Sequence, residues 1–271
     1  MRSYSLAHLT LLDLPPPAVI ETAHAAGYTH AGLRLLPAAP GGLFYDLANN
    51  APLLRETLAR LKDTGIEIFD VEIIRLGPNF HVETTLPFLD IAATLGARAV
   101  LVAGDDPDPS RLAASYAAFC AEAAPRNLTG DIEFMPWTEV PDIAAARRLV
   151  AASGTPANAG ILVDALHYAR SPGGQEAIAA IPRHLLHYGQ ICDAPAEIPA
   201  TVEGLIHTAR QERLLPGTGG IDITGMLRAL PPNLPLSVEL PNLKLAPARG
   251  PLNWAKDCLA ASKKIAEEAF A

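Results

Sequence analysis

The feature that most constrains this chain is an alternation of short apolar runs with longer Ala/Leu-rich stretches, repeated eight times. The runs are Ser3–Leu9, His30–Leu35, Glu67–Ile74, Ala99–Ala103, Asp131–Met135, Gly160–Asp164, Leu186–Cys192 and Leu236–Glu239. Strands alternating with helical patterns predict βα units and a parallel sheet. Ala99–Ala103 holds only small or branched apolar residues, as a strand buried on both faces requires. Helices are expected from Pro15-Pro16-Pro17 to Ala26, then over Ala51–Thr64, Thr84–Leu95, Ser110–Ala124, Asp142–Ser153, Gln175–Ile181, Thr224–Leu230 and Leu252–Ala269. Glycines close four of them, at Gly27, Gly65, Gly96 and Gly154. After the seventh run the reading is a long irregular stretch reaching LLPGTGGIDI.

Eight such units in 271 residues predict one α/β (β/α)8 barrel over residues 1–271. The alternative is a doubly wound open sheet. No Gly-x-Gly-x-x-Gly follows the first run, which counts against a dinucleotide-binding sheet.

Composition removes several function classes. A net charge of −8 offers no basic face for counterion release, so nucleic acid is not an expected partner. Three cysteines at long spacings make neither a disulfide framework nor a zinc knuckle. No apolar run approaches the ~18 residues of a membrane span. The N-terminal segment, interrupted by His8 and Asp13, does not read as a signal peptide, so a cytoplasmic protein is expected. A homo-oligomer is compatible with everything read here.

Side chains at the C-terminal ends of barrel strands converge on the axis. Four consecutive strands carry an oxygen donor there: Glu133 in DIEFMPW, Asp164 in GILVDALHYARS, Gln190 in HYGQICDA and Glu239 in LSVELPN. Each acid alone reads equally well as a helix cap. Four alike in succession read as an oxygen-only site for one hard divalent cation, Mn2+, Mg2+ or Co2+ in preference to Zn2+. Such a site requires the three carboxylates to lie within about 8 Å of one another.

DIEFMPW, VDALHYARS, QICDA, RLLPGTGGID and LSVEL, in this order and spacing, resemble the sugar phosphate isomerase/epimerase family. That is the xylose isomerase-like TIM-barrel group, with its inosose dehydratase-like and 3-dehydroshikimate dehydratase-like enzymes. The resemblance implies that Glu133, Asp164, Gln190 and Glu239 bind one divalent metal, with Glu133 and Glu239 also catalytic. Gln190 departs from the histidine usual in ketose epimerases and is similar to the dehydroshikimate dehydratase branch. His167, in the family's Asp-x-x-His pattern, is a candidate acid/base.

Arg170 and Arg213 are candidates to receive a substrate carboxylate or phosphate, and equally read as surface ion-pair residues. Glu72 is a candidate to bond substrate hydroxyls or to orient an arginine, and Trp137 to wall the pocket. Gly217-Thr218-Gly219-Gly220 reads as a possible anion cradle, and Cys192 as a small core residue.

The chemistry expected is proton abstraction next to a carbonyl of a small sugar-like or cyclitol-like substrate, with the cation holding the developing enediolate charge. Return of the proton gives isomerisation or epimerisation, the expected activity; departure of a β-hydroxyl gives dehydration, the alternative. A nuclease related to endonuclease IV and a catalytically silent barrel are the other classes. Sparse strand-end histidine argues against the first, and intact Glu133 and Glu239 against the second.

Overall fold

In the computed structural model, which describes residues 2–271, the eight runs pair side by side and all in parallel. Met1 of the expected 1–271 unit lies outside the described residues. The strands are β1 (Tyr4–Leu6), β2 (His30–Arg34), β3 (Glu67–Leu76), β4 (Ala99–Gly104), β5 (Thr129–Glu133), β6 (Ala159–Asp164), β7 (Gly189–Ile191) and β8 (Leu236–Val238). β1 pairs with β8 as well as β2, so the sheet closes on itself and the open-sheet alternative falls away.

Local chemistry starts and stops the elements that carry the mouth of the barrel. Asn50, Asp108, Asp142, Asp164, Thr201 and Asp222 each accept a backbone N–H of the helix that follows. Gly27 and Gly65 end their helices in the left-handed conformation that a side chain disfavours.

The structure corrects several sequence boundaries, among them β5, which lies two residues earlier than the run Asp131–Met135, and β7, which is shorter than Leu186–Cys192. β1 stops at Leu6, and His8–Leu11 forms a 3-10 turn. β3 runs on to Leu76. The stretch read as irregular after the seventh strand contains a ten-residue helix, Val202–Gln211, opened by the Thr201 cap.

Strand register and pleat sort the inward side chains into layers, alternate strands contributing to each. The uppermost holds Arg34, Ala103, Asp164 and Glu239, from the even strands or just past their ends. Below it lie Glu72 with Ile73, then Glu133 and Gln190, from the odd strands. Next come Gly32, Leu101, Leu162 and Ser237. The lowest of these four layers holds Ser5, Phe69 with Asp70, Asp131 and Tyr188. β3 contributes two residues to some layers because its register slips twice, between Ala31 and Leu33 of β2 and between Val71 and Ile74 of its own chain.

Candidate active site

The four expected ligands come from the two uppermost layers. Glu133, Asp164 and Glu239 are all buried, and each offers a carboxylate oxygen within 4.8 Å of the others. Gln190 Nε2 donates to Glu239 Oε1 at 3.1 Å. Glu133 Oε1 and Gln190 Oε1 are buried acceptors with no hydrogen-bond partner. Unsatisfied buried acceptors beside three converging carboxylates are what a divalent cation satisfies, so the residues present fit one.

His167 reaches the same point by a local route. The Asp164 carboxylate caps the short helix Ala165–Ala169 by accepting the His167 backbone N–H at 3.0 Å. One Asp-x-x-His segment therefore delivers both side chains. The imidazole Nε2 lies 3.8 Å from Glu133 Oε1 and 3.9 Å from Asp164 Oδ1. The Trp137 ring meets the imidazole edge-on, with centroids 5.0 Å apart. Burial pushes His167 down to about 4, so it is neutral near pH 7.

Arg213 lies inside the site and is 2% exposed. Its Nη1 bonds Asp164 Oδ2 at 2.6 Å, its Nη2 lies 2.9 Å from Glu239 Oε2, and its Nε donates to the Ala209 carbonyl at 2.9 Å. Nη1 also reaches Cys192 Sγ at 3.2 Å; this thiol is fully buried in the barrel wall. Burial alone would raise Asp164, but Arg213 and then His167 outweigh it and hold the carboxyl below its usual range. Glu239 is pushed up to about 7 by burial, with Arg213 opposing. Glu133, without a guanidinium of its own, is raised further by burial and by Glu239 and Asp164. A bound cation acts in the opposite direction on all three.

Three arginines that sequence reasoning passed over line the same cleft: Arg34, Arg75 and Arg210. Arg34 pairs with Glu72 at 2.6 Å, and Arg75 with Asp105 at 2.7 Å. Arg210 makes no ion pair among the described residues, and burial, then Arg75 and Arg34, lower its pKa. His8 supports this group from below: its Nδ1 accepts the Arg34 backbone N–H at 2.8 Å and its Nε2 contacts the Leu14 carbonyl at 3.0 Å. The available signal was a charged residue, Arg34, ending a strand otherwise buried at every position.

Of the other expected site residues, Glu72 and Trp137 line the cleft, and Arg170 does not. Arg170 Nη2 donates instead to the Pro195 carbonyl at 2.8 Å. The glycine cradle is filled by the chain itself, with Gly217, Gly219 and Ile221 all donating backbone N–H groups to the Asp193 carboxylate.

A family model described as Xylose isomerase-like TIM barrel matches residues 20–264. A 3-dehydroshikimate dehydratase of Pseudomonas aeruginosa is 29% identical over 186 residues, which are 65% of this chain and 28% of that protein. The chain thus spans just over a quarter of that curated relative. Among solved structures, the IOLI protein with a bound zinc atom superposes with a TM-score of 0.78 at 16% identity, covering 99% of both chains. D-allulose 3-epimerase from Methylomonas sp. in complex with D-allulose gives a TM-score of 0.69 at 16% identity, covering 97% of this chain and 96% of that one. No helix among the described residues is long and apolar enough to cross a membrane.

Proposed function

Because the chain belongs to the xylose isomerase-like TIM-barrel family, we propose that it is a divalent-metal-dependent enzyme that removes a proton next to the carbonyl of a small polyhydroxylated acid. Glu133, Asp164, Gln190 and Glu239 hold the cation, with Mn2+, Mg2+ or Co2+ suited to an all-oxygen set. When bound, the cation supplies Lewis-acid polarisation of the substrate carbonyl.

The protein's own residues do the rest. The unpaired Arg210 guanidinium binds the substrate's anionic end, beside Arg34, which Glu72 holds in place. Trp137 packs on His167 and keeps bulk water from the imidazole. His167 Nε2, 3.8 Å from Glu133 Oε1, takes the proton from carbon and passes it on. Passed to a neighbouring hydroxyl as its C–O bond breaks, the proton leaves with that oxygen as water. Returned to carbon, it completes an isomerisation.

Dehydration is the reading these residues support best. Both oxygens of Glu239 are engaged, by Gln190 and by Arg213, which leaves His167, beside Glu133, as the one proton-handling group. A two-base epimerase needs a free group on each face of the substrate. Isomerase or epimerase action on a neutral keto sugar is the second reading, favoured by the structural likeness to D-allulose 3-epimerase.

The observation that carries the proposal is an unpaired arginine in the same cleft as the metal-ready carboxylates. The test is turnover of 3-dehydroshikimate, inososes and neutral keto sugars by Mn2+-loaded protein, with Arg210→Met as the diagnostic variant. On the acidic substrate KM should rise by roughly 10–100-fold, the loss of one charge-assisted hydrogen bond of ~1.5–3 kcal/mol. Equal effects on acid and neutral sugar, or turnover of the sugar alone, would make the isomerase reading the right one.

A further inference from the structure

The lowest of the four layers is unusual for the inside of such a barrel, where bulky branched apolar residues normally fill the space. Ser5, Asp70, Asp131 and Tyr188 face the axis there, with Ser237 and Gly32 in the layer above, on the two strands that flank β1. Each hydroxyl is at least 97% buried, since Ser5, Tyr188 and Ser237 are 3%, 0% and 1% exposed. Ser5 Oγ, Tyr188 OH, Ser237 Oγ and Asp70 Oδ1 all lack a hydrogen-bond partner.

Asp131 is accounted for, because Thr129 Oγ1 donates to it at 2.5 Å and His187 Nδ1 lies 2.8 Å away. Asp70 is not. No basic side chain pairs with it among the described residues, and the charges that act on it are those of Glu72, Glu239 and Asp131, all acids. Burial and those acids hold its pKa well above the usual carboxylate range.

The backbone makes room for these groups. A Cβ on Gly32 would meet Asp70 Oδ1 at 3.0 Å, and one on Gly160 would meet Asp131 Oδ1 at 2.1 Å. Two glycines and two serines therefore stand where larger side chains would fill the barrel. The opposite wall carries the buried apolar residues Ala99, Leu101 and Leu162.

We propose that this layer is a binding site for one small monovalent alkali cation, held by the Asp70 carboxylate and the hydroxyl oxygens of Ser5, Tyr188 and Ser237. Water alone would satisfy the hydroxyls and leave the Asp70 charge to be neutralised by a proton, the state its raised pKa favours when no cation is bound. A cation satisfies all four oxygens and cancels that charge. One carboxylate with neutral oxygens matches a single positive charge. A divalent ion sheds its hydration for several carboxylates, which this layer does not offer. The site is separate from the divalent centre above it and shares no ligand with it.

The test is the thermal melting of the full chain at saturating Mn2+, in chloride salts of sodium, potassium and the bulky choline cation at equal ionic strength. A cation that binds only the folded state raises Tm with its concentration. Tm should rise saturably with sodium or potassium over choline. Asp70→Asn should abolish the ion-specific rise, and Tyr188→Phe should shift its midpoint by about fivefold. Equal melting in all three salts, or an ion-specific rise that survives Asp70→Asn, overturns the proposal. Should Asp70→Asn fail to fold, anomalous diffraction from wild-type crystals soaked in thallium(I) decides alone: a peak between Asp70 and Ser237 supports the site, and water density without one overturns it.

Discussion

The buried acids at the mouth and the buried acids lower in the barrel are balanced in different ways. At the mouth, Asp164 and Glu239 share the guanidinium of Arg213, whose pKa those two acids keep high against the opposing effect of burial. Lower down, Asp131 is paired with His187, an imidazole at the floor of the barrel. The first counter-charge is permanent and the second titrates. Asp164 is therefore held ionised by a group that cannot lose its proton, and the same group opposes the upward push of burial on Glu239. The imidazole below answers to pH.

The largest effects should come from the mouth. Glu133→Gln and Glu239→Gln should each cut kcat by about 10²–10⁴-fold and lower bound divalent metal, with the fold unchanged by circular dichroism. Retained metal and full turnover in either variant would remove that residue from the site. Arg213→Met leaves two buried carboxylates without their cation and should cost about 3–5 kcal/mol in urea unfolding. Arg213→Lys should recover part of this, since the charge returns without the fork.

The lower pair should respond more weakly and only to pH. Burial alone would lower the His187 pKa, but the bond to Asp131 and its charge raise it above the ordinary value. Its stabilising contribution is thus fully present below about pH 6.5 and is lost as pH rises through the raised value. Unfolding free energy followed from neutral to alkaline pH should fall in the wild type and lose that slope in His187→Gln. An unchanged slope in the variant would mean another group titrates there. Smallest of all, Arg210→Met should change stability by no more than about 0.5 kcal/mol, because Arg210 has no partner to lose.

The same contrast explains what was legible in the sequence. Eight strands were readable because each is an apolar run with punctuation on both sides. Asp164 and Glu239 stood out because each ends or directly follows such a run, and strand ends in a barrel converge. The helix Val202–Gln211 was missed because Gly204 and a proline-rich approach mask it, and its buried residues are only Thr208 and Ala209. Arg34, Arg75 and Arg210 were missed because their shared cleft is made by register and closure. Their acid partners, where they exist, lie 38 and 30 residues away in sequence. The polar layer of Ser5, Asp70 and Tyr188 was invisible for a related reason: each looks ordinary in its own strand, and only the shear of the closed sheet sets them at one height.

At the floor, the Arg2 guanidinium sits over the Phe270 ring, 5.2 Å from its centroid. The two ends of the described chain therefore meet on the face opposite the divalent site. For protein engineering this makes the barrel a ring with a seam. A short bridge engineered between Arg2 and Phe270 would lock that seam on the face opposite the cleft and leave every strand neighbour in place.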